Sequence, residues 1–154
     1  MQRHGWTLLF HDGIKEQICN LEKAINRIKQ KRPAELETSA TYKLYAAISH
    51  LVLDVIPKNP NSDRFRQGNT MGTTYRHWRR AKIGRRFRLF FRFDSQSKVI
   101  VYAWVNDARS LRKQGSKSDP YAVFTKMLEQ GNPPDDWESL VKKCHPGTSP
   151  FQGA

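Results

Sequence analysis

Cysteine is scarce in this 154-residue chain: the two present, Cys19 and Cys144, are far apart and fit neither a CxxC nor a Cys/His zinc pattern. That spacing favours two reduced thiols over a disulfide or metal ligands. The five histidines are scattered too, so no structural metal and no cofactor is predicted. Long apolar runs are also missing, and none approaches the ~20 residues a helix needs to span a bilayer. No secretory apolar region follows Met1-Gln2-Arg3-His4-Gly5-Trp6. A soluble cytoplasmic protein with no membrane partner is therefore expected, and its length suits one domain whose core does without cross-links.

Acidic residues are the second shortage. Asp and Glu number 14 against 27 Lys and Arg, a formal charge of +13. Between Arg64 and Phe93 there are ten Lys or Arg and no Asp or Glu. An exposed face usually mixes signs, whereas one sign repels itself and costs stability unless a polyanion relieves it. Strands do expose arginine for solubility or to protect an edge, but without acidic partners nucleic acid is the better-fitting ligand.

Much of this basic run reads as strand. In Arg86-Phe87-Arg88-Leu89-Phe90-Phe91-Arg92-Phe93 a period of two places Phe87, Leu89, Phe91 and Phe93 on one side, and Arg86, Arg88, Phe90 and Arg92 on the other. Strands are predicted over Trp78–Ile83, Arg86–Phe93 and Lys98–Val105, joined by hairpin connections at Gly84-Arg85 and Asp94–Ser97 into an antiparallel meander. Trp78, Arg80 and Lys82 share one face of the first of these. One sheet face would pack on helices and the basic face would stay open.

Ahead of the meander, Trp6–Phe10 reads as a short strand and Asp12 as a helix N-cap. Ile14, Ile18, Leu21, Ile25 and Ile28 then form one stripe of an amphipathic helix ending near Arg32-Pro33. A second helix is predicted from Thr38 or Ser39 through Leu44, Ile48, Leu51, Val52 and Val55 until Pro57 stops it, giving an αα-hairpin. Beyond the sheet, residues 106–117 read as a basic loop. Asp119-Pro120 caps a helix carrying Tyr121, Phe124, Met127 and Leu128, and Asp135 with Glu138 resembles a capping box for a shorter one. Residues 144–154 read as a flexible tail. The fold class is α+β: an N-terminal αα-hairpin on a small antiparallel sheet, with C-terminal helices.

Gly5-Trp6, the string Phe87-Arg88-Leu89-Phe90-Phe91-Arg92, then Trp104-Val105-Asn106-Asp107, and finally Asp119-Pro120-Tyr121-Ala122-Val123-Phe124-Thr125-Lys126-Met127-Leu128 together resemble the YhaV family of bacterial toxins, part of the wider RelE-like group. The resemblance runs from about Gly5 to about Lys143 and implies a single RelE-like domain over residues 1–143. It implies a translation-blocking endoribonuclease that cuts mRNA, in association with the ribosome. It also implies a PrlF-type antitoxin of the swapped-hairpin DNA-binding kind, through which alone the toxin would reach operator DNA.

In such metal-independent nucleases the RNA 2′-OH attacks the adjacent phosphorus. A base must take the 2′ proton, cations must stabilise the pentacoordinate phosphorus, and the 5′-oxygen must be helped to leave. Arg88 is the first choice for charge stabilisation, because Phe-Arg-Leu resembles the strand motif that carries this arginine in relatives. Lys82, partly buried among Arg80, Arg86 and Arg88, is the candidate base, and Arg80 can exchange roles with it. His77 is a second candidate base, although a lone histidine before a tryptophan is more often structural. Arg112 is placed to clamp the phosphate or assist the leaving group, with Arg109 and Lys117 competing for that duty. Tyr121 occupies the place of a tyrosine that stacks on or orients substrate in relatives, or else is a core aromatic. Arg79, Arg86, Phe90, Arg92, Arg109 and Lys117 complete the expected RNA-binding set. Trp78 and Trp104 read as packing residues. A non-catalytic RNA- or ribosome-binding module is the alternative, since the same basic face would serve it; no helix-turn-helix or zinc-finger spacing supports a DNA reader.

Overall fold

The apolar stripe on the first helix decides which side of the sheet it covers. In a computed structural model that describes residues 1–144 and 149–152, α1 spans Asp12–Lys31 and buries Ile14, Ile18 and Ile25. Its cap is His11, not Asp12: His11 Nδ1 accepts from Gly13 N at 3.2 Å. α2, Ala40–His50, is capped by Ser39 Oγ, which accepts from Tyr42 N. α1 and α2 share a core with Leu8, Phe10, Leu89, Phe91, Ile100 and Tyr102.

Pro57 does not end the second helix as expected. The chain passes from α2 through a π-helical turn, Leu51–Val55, into α3, Ile56–Lys58. Ile56 N–H bonds to Leu51 O, five residues back. Pro57 has no N–H to offer Val52 O in this register, and the buried Tyr102 hydroxyl donates to that oxygen at 2.8 Å instead.

The sheet is mixed and five-stranded rather than a small antiparallel meander. Its strands are β1 (Gln2–Arg3), β2 (Trp6–Phe10), β3 (Arg79–Ile83), β4 (Phe87–Asp94) and β5 (Val99–Val105), in the order β1-β2-β5-β4-β3. The meander β3-β4-β5 is antiparallel, as expected, but β2 adds parallel to β5 on its far side. Phe90 pairs with Trp104 and Phe91 with Tyr102, so Ala103 is an extra residue on β5. This bulge turns both Ala103 and Trp104 into one core.

That second core corrects the expectation of an open basic face. α4 (Pro120–Glu129) and α5 (Trp137–Lys142) lie on the side of the sheet opposite α1 and α2. Phe90 is fully buried, stacked on Phe124 at 4.4 Å and on Trp104 at 6.0 Å. It is therefore a core residue and unavailable to RNA. Burying a ring of this size is worth about 2–3 kcal/mol, which outweighs keeping the face open. Arg92 is likewise enclosed, its guanidinium 5.4 Å from the Trp78 ring and 5.3 Å from the Trp137 ring. Its Nη1 donates to Asp135 O, and burial lowers its pKa. α5 is capped by Asp136, whose Oδ2 accepts from Ser139 N, leaving Asp135 free for other bonds.

Of the expected tail, residues 145–148 and 153–154 lie outside those described. Phe151 packs edge-on against Tyr45, and Gln152 N donates to Glu22 Oε2 at 2.6 Å. Cys19 is exposed and Cys144 buried, both free, and burial pushes the Cys144 thiol up to about 11. Among the described residues no helix is long and apolar enough to cross a membrane.

Candidate active site

Directly opposed residues of an antiparallel pair project to the same face. Lys82 stands opposite Arg88 and Arg80 opposite Phe90, so Arg80, Lys82 and Arg88 all point to the α4 side. α4 begins there because Asp119 caps it: Oδ2 accepts from Tyr121 N at 3.1 Å, and Pro120 follows with a φ suited to the first turn. The first ring that α4 buries, Tyr121, thus arrives beside the arginines.

Tyr121 Oη accepts from Arg80 Nε at 2.8 Å and from Arg88 Nε at 3.2 Å. The Arg112 guanidinium lies over the same ring, 4.8 Å from its centroid. Three guanidiniums from β3, β4 and the loop after β5 therefore converge on one buried phenol. A phenol oxygen has two acceptor positions and one proton. With both acceptor positions taken by arginine N–H groups, the Tyr121 proton is left to donate.

The arginines are fixed but not neutralised. Arg80 Nη1 donates to Arg64 O and Arg88 Nη1 to Phe87 O, each at 2.8 Å. Among the described residues, no carboxylate lies within 4.0 Å of either, and neither Nη2 has a protein acceptor. Arg112 alone has a counter-ion, Asp119 Oδ1 at 2.8 Å. Fixed donors with unspent N–H groups suit a tetrahedral or pentacoordinate phosphate.

The remaining sequence-predicted residues separate into groups. Lys82 is exposed rather than partly buried, in a groove with Arg64, Arg66 and Arg80. Lys117 is exposed and lines a second groove with Arg112 and Tyr121. Arg86 is exposed, and its carbonyl accepts from Arg112 N at 2.9 Å. Arg109 is 93% exposed and pairs with Asp107 at 3.5 Å. Arg79 projects to the opposite face, over the Phe93 ring at 5.2 Å, with Nη1 buried and unpaired. His77 lies in the turn just before β3. Its Nε2 is 2.6 Å from Asp135 Oδ1, which also accepts from Trp78 Nε1 at 2.8 Å. The structure does not bring His77 to the Tyr121 cluster.

Two residues emerge with more to do than their sequence context suggested. Asn106 is buried; its Oδ1 accepts from Arg88 N at 2.7 Å, while Nδ2 donates to Arg86 O at 3.0 Å and Ser110 O at 2.7 Å. It clamps the strand bearing Arg88 to the loop bearing Arg112. Asp119, besides capping α4, binds the Arg112 side chain and accepts from Lys113 N at 2.7 Å. The cluster consists of guanidinium and phenol groups, with its one carboxylate already committed. Among the described residues no three His, Cys, Asp or Glu side chains are grouped to hold a metal ion.

The family model described as "Toxin with endonuclease activity, of toxin-antitoxin system" matches residues 8–145, a span that contains the whole cluster. The chain belongs to the YhaV toxin family. Two curated YhaV relatives are the toxin YhaV of Escherichia coli O6:H1 (strain CFT073) and the ribonuclease toxin YhaV of Escherichia coli strain K12. Each is 39% identical over 142 residues, covering 91% of this chain and 92% of the relative. No solved structure matches the chain. As a YhaV-family toxin it carries endonuclease activity within a toxin–antitoxin system, and the cation cluster at Tyr121 is the arrangement best fitted to a phosphodiester.

Proposed function

We propose that this YhaV-family chain is an endoribonuclease with a RelE-like fold that cleaves mRNA on the ribosome and so blocks translation. The name of the K12 relative supports RNA as the substrate. The observation that carries the reading is the junction at Tyr121 Oη, where Arg80 and Arg88 meet beneath Arg112.

The reaction assigned to the site needs no metal, because guanidinium groups stabilise phosphate oxygens directly. The 2′-oxygen forms a bond to phosphorus as its proton passes to Lys82, the base of the proposal. The P–O5′ bond breaks, leaving a 2′,3′-cyclic phosphate, and the departing 5′-oxygen takes a proton from water. Arg88 and Arg80 hold the non-bridging oxygens through their unspent Nη groups, where charge grows in the transition state. Arg112 clamps the phosphate from the other side. Tyr121 orients both arginines, and with Arg112 over its ring it is a positioning residue rather than a platform for a base.

In the cell the partner is a PrlF-type antitoxin with a swapped-hairpin DNA-binding fold, which brings the toxin to operator DNA in the cytoplasm. End-mapping of one mRNA incubated with the purified chain, with and without translating ribosomes and beside Arg88→Ala, tests the enzymatic reading. Cuts that need the ribosome and vanish in the variant are expected. RNA bound in both arms but never cut would favour a non-catalytic binding module.

A further inference from the structure

The short segment that precedes β3, around the turn Asp63–Phe65, is anchored to the cluster. Phe65, on the single 3₁₀ turn Asp63–Phe65, is 2% exposed and packs edge-on against Phe91 with centroids 5.4 Å apart. Arg66 bridges antiparallel to Arg79, extending the sheet past its edge strand β3. The carbonyl of Arg64 receives Arg80 Nη1. The backbone is thus fixed while the side chains of Arg64 and Arg66 remain exposed.

These two arginines line one groove with Arg80 and Lys82. The acidic member, Asp63, faces Arg66 Nε at 3.4 Å with side chains 90% and 58% exposed. A pair that open to water is weak, so an incoming anion displaces it readily. The Arg64 guanidinium rests 5.1 Å over the Phe65 ring, which limits its freedom without consuming its N–H donors. Arg80 belongs both to this groove and to the Tyr121 junction, so the groove opens directly onto the cleavage centre.

We infer that Arg64 and Arg66 form a phosphate subsite for the backbone of single-stranded RNA beside the scissile bond. The inference rests on the ribonuclease reading above and extends it from one phosphate to a tracked strand. With Phe65 buried, the groove offers cations and no exposed ring for stacking. It therefore grips backbone without reading bases. Any sequence preference arises elsewhere in the site.

The test uses the full chain and a roughly 12-nucleotide 2′-O-methyl RNA, which binds but lacks the nucleophilic hydroxyl. Arg64→Glu/Arg66→Glu is expected to weaken binding about tenfold or more near 0.1 M salt and to reduce the salt slope by about 1.4, the loss of two single-strand contacts. Lys23→Glu/Arg27→Glu, on the exposed side of α1, makes the same change in net charge and is expected to leave the slope unaltered. Arg64→Gln/Arg66→Gln, with circular dichroism on every variant, guards against misfolding. Equal slopes for the groove variant and the parent, or an equal fall in the α1 variant, would overturn the subsite. A parent protein that neither binds nor cuts RNA would instead overturn the ribonuclease reading itself.

Discussion

Arg88 on β4 donates through Nε to the hydroxyl of Tyr121 on α4, 3.2 Å away, although 33 residues separate the two. The bond fixes the guanidinium plane of a residue that is only 7% exposed. Arg80 uses the same oxygen, so one phenol sets the orientation of two cations that would otherwise repel each other.

Tyr121→Phe removes that shared acceptor while keeping the ring beneath Arg112. Two arginine Nε groups then lose their partner, at a cost of about 1–3 kcal/mol for a buried donor. The expected result is a kcat for RNA cleavage lower by about tenfold to a hundredfold, KM changed far less, and a modest fall in Tm. A change in KM alone would mean that Tyr121 binds substrate without orienting the arginines.

Arg88→Ala removes the proposed transition-state donor outright, and about a hundredfold or greater loss in cleavage is expected, on the order of 3 kcal/mol. Arg88→Lys keeps the charge but loses the planar fork, and is expected to recover only a minor part of the rate. Single-turnover cleavage with both variants checks this, and full activity in either would remove Arg88 from the reaction.

The base assignment is decided by comparing Lys82→Ala with His77→Ala. Lys82 shares a strand face with Arg80 and Arg88, whereas His77 is bonded to Asp135 at the other end of β3. The larger loss of kcat is expected for Lys82→Ala. The reverse order would transfer the base to His77 and require a rearrangement at Asp135.

The faces of α1 and β4 were legible because periodicity alone decides them: Ile14, Ile18 and Ile25 point inward, as do Leu89 and Phe91. What covers a face is not written in its own strand. Phe90 between arginines reads as half of a basic surface until Phe124, thirty-four positions on, stacks upon it. The parallel addition of β2 to β5 was hidden for the same reason, since strand order depends on packing between distant segments. Arg88, Arg80, Arg112 and Tyr121 were all singled out from the sequence. Their junction at one oxygen was not visible, because it depends on how α4 docks. Asn106 appeared only within the Trp104–Asp107 string and at the start of a basic loop, and no local pattern records that its side chain bonds the main chain of Arg88, Arg86 and Ser110.

Tyr102→Phe probes the helical turn that Pro57 leaves incomplete. It strips the buried Val52 carbonyl of its donor, and about 1–3 kcal/mol of stability is expected to be lost. Denaturant unfolding should show a lower midpoint with an unchanged m-value. An unaltered midpoint would show that Val52 O finds another partner.

Stability should also fall on mild acidification. Burial lowers the pKa of His11, the field of Lys143 acts the same way, and the field of Asp12 opposes both. The unfolded chain then binds the proton first, so the His11 contribution is fully present above about pH 6.5 and is lost as pH falls below it. His11→Asn keeps a side-chain acceptor for Gly13 N and does not titrate. Thermal melts between pH 7 and pH 5 should therefore show a shallower decline in this variant than in the parent.

The second core under α4 and α5 also divides the chain's fluorescence. Trp78, Trp104 and Trp137 belong to that layer, and Trp6 alone lies on the side of α1 and α2. Tryptophan emission is thus weighted toward the layer that carries Tyr121, while far-ultraviolet ellipticity is dominated by α1 and α2. Coincident melting curves from the two signals would mark a single cooperative unit. Earlier loss of emission would mark a Tyr121-bearing layer that loosens while the helical half of the molecule stays intact.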